Sequence, residues 1–181
     1  MRRGGSAPTD PSDAIVRHHA DGATRSSAVY SPCEGYRYSL ERRWDAAPPL
    51  MCVMLNPSTA TERANDPTIA RCEARARAGG FGGVRIVNLF AFRATDPRDL
   101  KRAADPVGPD NDARLMAACA GAGLVLAGWG VHGAFQNRAA IVLAMLRDNG
   151  VQIHTLGLTK GGHPRHPLYI GYATQPELWP R

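Results

Sequence analysis

The sequence predicts an α/β domain with three layers, α/β/α, built on a four-stranded, mostly parallel sheet with one antiparallel strand added from the amino-terminal side. Three observations predict it. Four short, nearly continuous apolar runs recur, at residues 50–55 (LMCVML), 84–89 (VRIVNL), 124–129 (LVLAGW) and 151–156 (VQIHTL). Runs of this length without strict alternation mark strands covered on both faces. Segments with helix start and stop signals lie between them, and strands alternating with helices imply parallel pairing.

The elements follow in order. Residues 1–28 are rich in Gly, Ser, Ala, Pro and Asp without a sustained period; such a stretch reads as a mobile arm, leaving 29–181 as a single domain. Tyr36, Tyr38 and Leu40 alternate with polar residues, the pattern of a half-buried strand. The turn at Asp45-Ala46-Ala47-Pro48-Pro49 then leads into the first core strand. Asp66-Pro67 opens a helix, the Asp as cap and the Pro at the first helical position, and Gly79-Gly80 closes it. After the second core strand a long loop runs through FAFRATDP. Asp110 opens a second helix that ends near Gly121. A third helix, 134–148, is stopped by Asn149-Gly150. The fourth strand runs into the Gly-rich segment GLTKGGHPRHPLY.

Composition narrows the classes. In 181 residues, 44% are hydrophobic and 21% charged, which suits a soluble globular domain. The formal charge of +6 is spread along the chain, a balance compatible with a polyanionic partner. No apolar run approaches the roughly 18 residues of a membrane span, and the basic amino terminus lacks a signal peptide's apolar stretch, so the expected location is cytoplasmic. Cys33, Cys52, Cys72 and Cys119 form no CxxC pair; buried thiols are expected, with no metal and no cofactor. There is no GxxxxGK[ST] or GxGxxG phosphate loop.

In open α/β sheets ligands bind beyond the carboxyl ends of the strands. Asn56, Asn88 and Trp129 stand at or near three of those ends, and His163 follows the fourth. Each has an ordinary alternative: Asn-Pro is a common turn, an Asn can cap loop backbone, and Trp129, Phe90 and Phe92 can pack in the core. Their joint arrival at one rim is what points to a site.

In that order, strand–Asn-Pro, strand–Asn-Leu, strand–Gly-Trp-Gly and strand–loop–His-Pro resemble the uracil-DNA glycosylase superfamily. The counterparts of its motifs are Leu55-Asn56-Pro57-Ser58, Val87-Asn88-Leu89 and His163-Pro164-Arg165-His166-Pro167-Leu168. More narrowly, MLNPSTA, DPTIARC, NLFAFRATDP and GLTKGGHPRHPLY together resemble an uncharacterised bacterial family of small proteins. The chain departs from the superfamily pattern in two places. Met54 stands where the superfamily has Gly, and the late loop is one residue longer, so His163 or His166 is the counterpart of the catalytic histidine; the spacing from the strand favours His163.

The resemblance implies a uracil-DNA glycosylase-like fold and a DNA glycosylase, an enzyme that flips a nucleotide out of DNA and hydrolyses the base–sugar bond, leaving an abasic site. Asn56 would position the water, His163 would stabilise charge on the departing base, and Asn88 would read its edge. Pro57, Ser58, Phe90 and Phe92 would complete the base pocket. Lys160, Arg165 and Arg93 would contact phosphates, and Leu168 and Tyr169 would wedge into the stack. Uracil-restricted members carry a Tyr after the Pro that blocks pyrimidine position 5; Ser58 leaves that space open. A position-5-substituted pyrimidine, such as hydroxymethylated or glucosylated cytosine, is therefore the expected substrate, with a role in defence against phage carrying modified DNA. The expected partner is DNA containing a modified base, bound by a monomer with no membrane association. Competing readings are uracil or mismatch repair, a nucleotide or nucleoside hydrolase, and a non-catalytic module that binds modified bases.

Overall fold

The computed structural model describes residues 13–180. The first twelve residues of the expected arm lie outside them. The described chain forms an eight-stranded mixed sheet in the order β1-β2-β3-β5-β4-β6-β7-β8. The strands are β1 (Ile15–Asp21), β2 (Thr24–Tyr30), β3 (Arg37–Arg43), β4 (Leu50–Met54), β5 (Gly83–Asn88), β6 (Leu124–Ala127), β7 (Ile153–Thr155) and β8 (Glu177–Leu178).

This corrects the expected fold class. The sheet has eight strands where four core strands and one antiparallel strand were predicted, and four of its seven pairings are antiparallel: β1·β2, β2·β3, β3·β5 and β7·β8. Only β5·β4, β4·β6 and β6·β7 run parallel. The four-stranded, mostly parallel, glycosylase-like three-layer architecture therefore does not describe this chain. The reason lies in the segments that carry few apolar residues. β1 is exposed along most of its length, so it has no buried face to impose a period. It pairs with β2 through a turn at Gly22-Ala23, where Gly22 has φ +55°. Residues 15–28, read as arm, are thus sheet.

Helices are few and mostly short. α1 (Pro67–Ala78) begins at Asp66, whose Oδ1 accepts from Ile69 N at 2.9 Å. α2 (Pro97–Arg102) sits inside the predicted long loop, capped by Asp96. α3 spans Asn111–Ala118, and α4 (Arg138–Asp148) is preceded by a kinked 3-10 segment, Val131–Asn137. Among the described residues no helix is long and apolar enough to cross a membrane.

Alternation along β4 and β5 separates the core into two clusters. Leu50, Cys52 and Met54 of β4 pack with Val84 and Ile86 of β5 and with Ile69, Cys72 and Ala76 of α1. Met51, Val53, Val87 and Leu89 pack with Leu100, Leu115, Val142 and Leu146 of the other helices. The carboxyl ends of the parallel strands, the amino terminus of β3 and the start of α1 open onto one cavity.

Candidate active site

That cavity has a volume of about 730 Å³, within the range of about 300–1,000 Å³ usual for small-molecule sites. Backbone bonds continue past the strand ends and fix its rim. Leu89 N and Phe90 N donate to Met54 O and Leu55 O, and Gly128 N donates to Val53 O.

Asn56 follows β4 and lines the cavity. Its Nδ2 donates to Ala94 O at 2.7 Å and to Pro57 O at 3.0 Å, so the amide's donor half is committed and its carbonyl half remains for a ligand or water. Asn88, the last residue of β5, also lines the cavity. It is 2% exposed, and its Nδ2 is buried without a hydrogen-bond partner. A buried orphan donor is costly, which makes this amide a natural point for ligand contact. The backbone behind it is held firmly. Asn111 Nδ2 donates to both Asn88 O and Leu89 O at 3.0 Å, and Arg138 Nε donates to Leu89 O at 2.7 Å while its guanidinium pairs with Asp112.

The histidine that reaches the cavity is His166. His163, the histidine preferred from spacing, does not line it. Thr159 N donates to His163 O at 2.8 Å and His163 N to Thr159 Oγ1 at 3.2 Å. Gly162, at φ +77°, completes this tight turn. His166 Nδ1 accepts from Leu168 N at 3.3 Å, which assigns the imidazole proton to Nε2. Burial pushes the His166 pKa below its ordinary 6.5, with the Asp66 carboxylate opposing in part. The ring is therefore neutral at pH 7, a donor without a charge.

Ser58, Arg165, Leu168 and Tyr169 also line the cavity. Tyr169 is 82% exposed at its edge. The remaining predicted residues do not line it. Phe90 has no exposed surface and packs against Phe135 at 5.6 Å; Phe92 meets Tyr36 edge-on at 6.0 Å. The Phe90 ring is therefore not free to stack on a base. Pro57 is buried, and its carbonyl accepts from Ala94 N. Arg93 donates to Glu34 O and lies over the Tyr30 ring, so it serves the fold. Lys160 is exposed and does not line the cavity. Sequence reasoning missed Arg37 and Thr68 in the wall, and Asn111 and Arg138 behind it.

Residues 37–168 match the model of a family described as a protein of unknown function, DUF1643. The chain belongs to this family. The matched segment begins at Arg37 and ends at Leu168, both in the cavity wall, so the DUF1643 segment contains nearly the whole site and leaves out β1, β2 and β8. No curated protein and no solved structure matches the chain.

Proposed function

We propose that this DUF1643 protein is a DNA glycosylase that excises a position-5-substituted pyrimidine from an extruded nucleotide. The observation that carries the reading is the convergence of Asn56, Asn88 and His166, from three separate loops or strand ends, on one cavity with an orphan buried donor. The proposal rests on these groups and their chemistry, not on a shared fold.

Hydrolysis joins a water oxygen to the sugar's anomeric carbon and breaks the bond from that carbon to the base nitrogen. The base leaves with the bonding electrons, and the water's proton passes to solvent. The sugar is cation-like on the way. Asn56 offers its carbonyl oxygen to hold the water but takes no proton at neutral pH, so rate must come mainly from the leaving group. A neutral His166 donating from Nε2 to a carbonyl oxygen of the departing base supplies that stabilisation, a role typically worth about 3–4 kcal/mol. Asn88 can donate to and accept from the base edge. Ser58 leaves room for a substituent, and bulky position-5 groups on phage DNA make defence a fitting role.

The test is incubation of the full chain with duplexes and single strands containing uracil, a thymine mismatch, 5-hydroxymethylcytosine or its glucosylated form, followed by alkali to break abasic sites. Release of the substituted bases, lost on Asn56→Ala and His166→Gln, is the expected result. Tight binding without breaks on every substrate would favour the non-catalytic module, a reading to which the amide at position 56 lends weight. Release of uracil alone would remove the argument from Ser58.

A further inference from the structure

The cavity contains more polar machinery than base release uses. Arg37 opens β3, and the His166–Pro167 segment packs over the end of β6, where a Cβ on Gly128 would meet Pro167. In the sheet order β3-β5-β4-β6, three strand spacings separate these walls, about 14 Å at about 4.8 Å each. Asn88 and Asn56 stand between them. A pyrimidine held by His166 and Asn88 therefore leaves the Arg37 end of the cavity unfilled.

That end is built from four side chains. Arg37 is 1% exposed. Its Nη1 donates to Ala60 O, and its Nε is buried without a partner. Among the described residues no carboxylate lies within ion-pair distance of it. Burial lowers its pKa to about 10, so it is still cationic at neutral pH. Asp66 faces the same space and is near enough to act electrostatically on both Arg37 and His166. Its Oδ1 is committed to Ile69 N. Ser58 and Thr68 line the wall beside them, and their hydroxyls make no hydrogen bond to another described residue.

We propose that Arg37, Asp66, Ser58 and Thr68 form a subsite for a neutral, hydroxyl-rich substituent carried on the base, such as a hydroxymethyl or hexosyl group, and that this subsite selects the substrate. The inference rests on the base-excision reading for the orientation of the base. A guanidinium donor beside a carboxylate acceptor matches hydroxyl groups, which both donate and accept. An anionic substituent would meet Asp66. An unsubstituted base would leave Arg37 Nε without a partner, and a site built for hydroxyls rejects analogues lacking them.

Affinity and base release are to be measured in parallel on the full chain, Arg37→Met, Arg37→Lys and Asp66→Asn, the last retaining a side chain that can cap α1. The probes are short single strands carrying one cytosine, 5-hydroxymethylcytosine, glucosylated 5-hydroxymethylcytosine or 5-carboxycytosine. The full chain should prefer the glucosylated over the unsubstituted strand, and Arg37→Met should reduce that ratio on the order of 10- to 100-fold, with Asp66→Asn also reducing it. The ratio comes from one preparation, so partial unfolding does not mimic the effect. Equal affinity for all four strands, tighter binding of the carboxylated one, or a ratio unmoved in the variants overturns the subsite. Selectivity that depends on Arg37 without base release would refute the excision reading and leave the subsite standing; release whose selectivity ignores Arg37 would do the reverse.

Discussion

Gly128 follows β6 where the His166–Pro167 segment crosses it. A Cβ built there lies 2.7 Å from Pro167 Cδ, 3.0 Å from Pro167 Cγ and 3.1 Å from Met54 Sδ. The first distance falls 0.7 Å short of the 3.4 Å at which ordinary contact begins. The Pro ring is tied to its own backbone and cannot swing away, so in Gly128→Ala the backbone must move by about that amount, carrying His166 with it. Two magnitudes follow. Overpacking of this kind costs about 1–3 kcal/mol, measurable as a lower urea midpoint with an unchanged slope. Misplacing a reacting group by about 1 Å can lower a rate about 100-fold, so single-turnover base release should fall by about one to two orders of magnitude at saturating protein. Gly128→Ser should behave alike. If Gly128→Ala shifts stability by less than about 0.5 kcal/mol and releases base at the parent rate, the Pro167 contact does not set the position of His166, and the account of the late loop given above is wrong.

Other outcomes follow from the same geometry. Arg75 is largely buried and donates to Ile170 O, Gly171 O and Thr174 O; Arg75→Ala should cost about 1–3 kcal/mol and speed amide exchange across residues 166–174. Asp66→Ala removes the α1 cap and should lower stability by about 1 kcal/mol, whereas Asp66→Asn should recover most of it; equal losses in denaturant titrations would mean that the cap is not the cause. The folded pKa of His166 is depressed below its ordinary 6.5, so below that pH the unfolded chain binds the extra proton first. Its contribution to stability is complete above pH 6.5 and is lost as pH falls through the folded value. His166→Gln should flatten that acid limb of the urea midpoint; an unchanged limb would assign it to other groups.

How far the sequence could be read depends on what each segment buries. β4 and β5 announce themselves because both faces are covered, and Asp66 announces α1 because capping is local chemistry. Asp96-Pro97 sends the same local signal for α2, but six residues give too short a span for a period. β1 has little buried surface and β8 has two residues, so neither leaves a hydrophobic trace, and the sheet was underestimated at both edges. In the site, Asn56 and Asn88 could be read because they end apolar runs. The choice between His163 and His166 could not, since spacing says nothing of how Gly157 and Gly162, both at positive φ, fold the segment between. Arg37 gave no warning at all: an arginine that faces a cavity is spelled like one that faces solvent.

The way Arg75 and Arg71 grip the carbonyls of residues 170–174 has a further consequence. The stretch from Ile170 to Thr174, just after the His166 segment, is tied to α1 by guanidinium groups on a helix that can stay folded when they let go. Its detachment is thus a smaller event than global unfolding, with its own free energy. A molecule that binds the cavity only while this stretch is seated should slow exchange of its amides by the same mass-action factor that it adds to the stability of the whole chain, so exchange there would locate occupancy residue by residue.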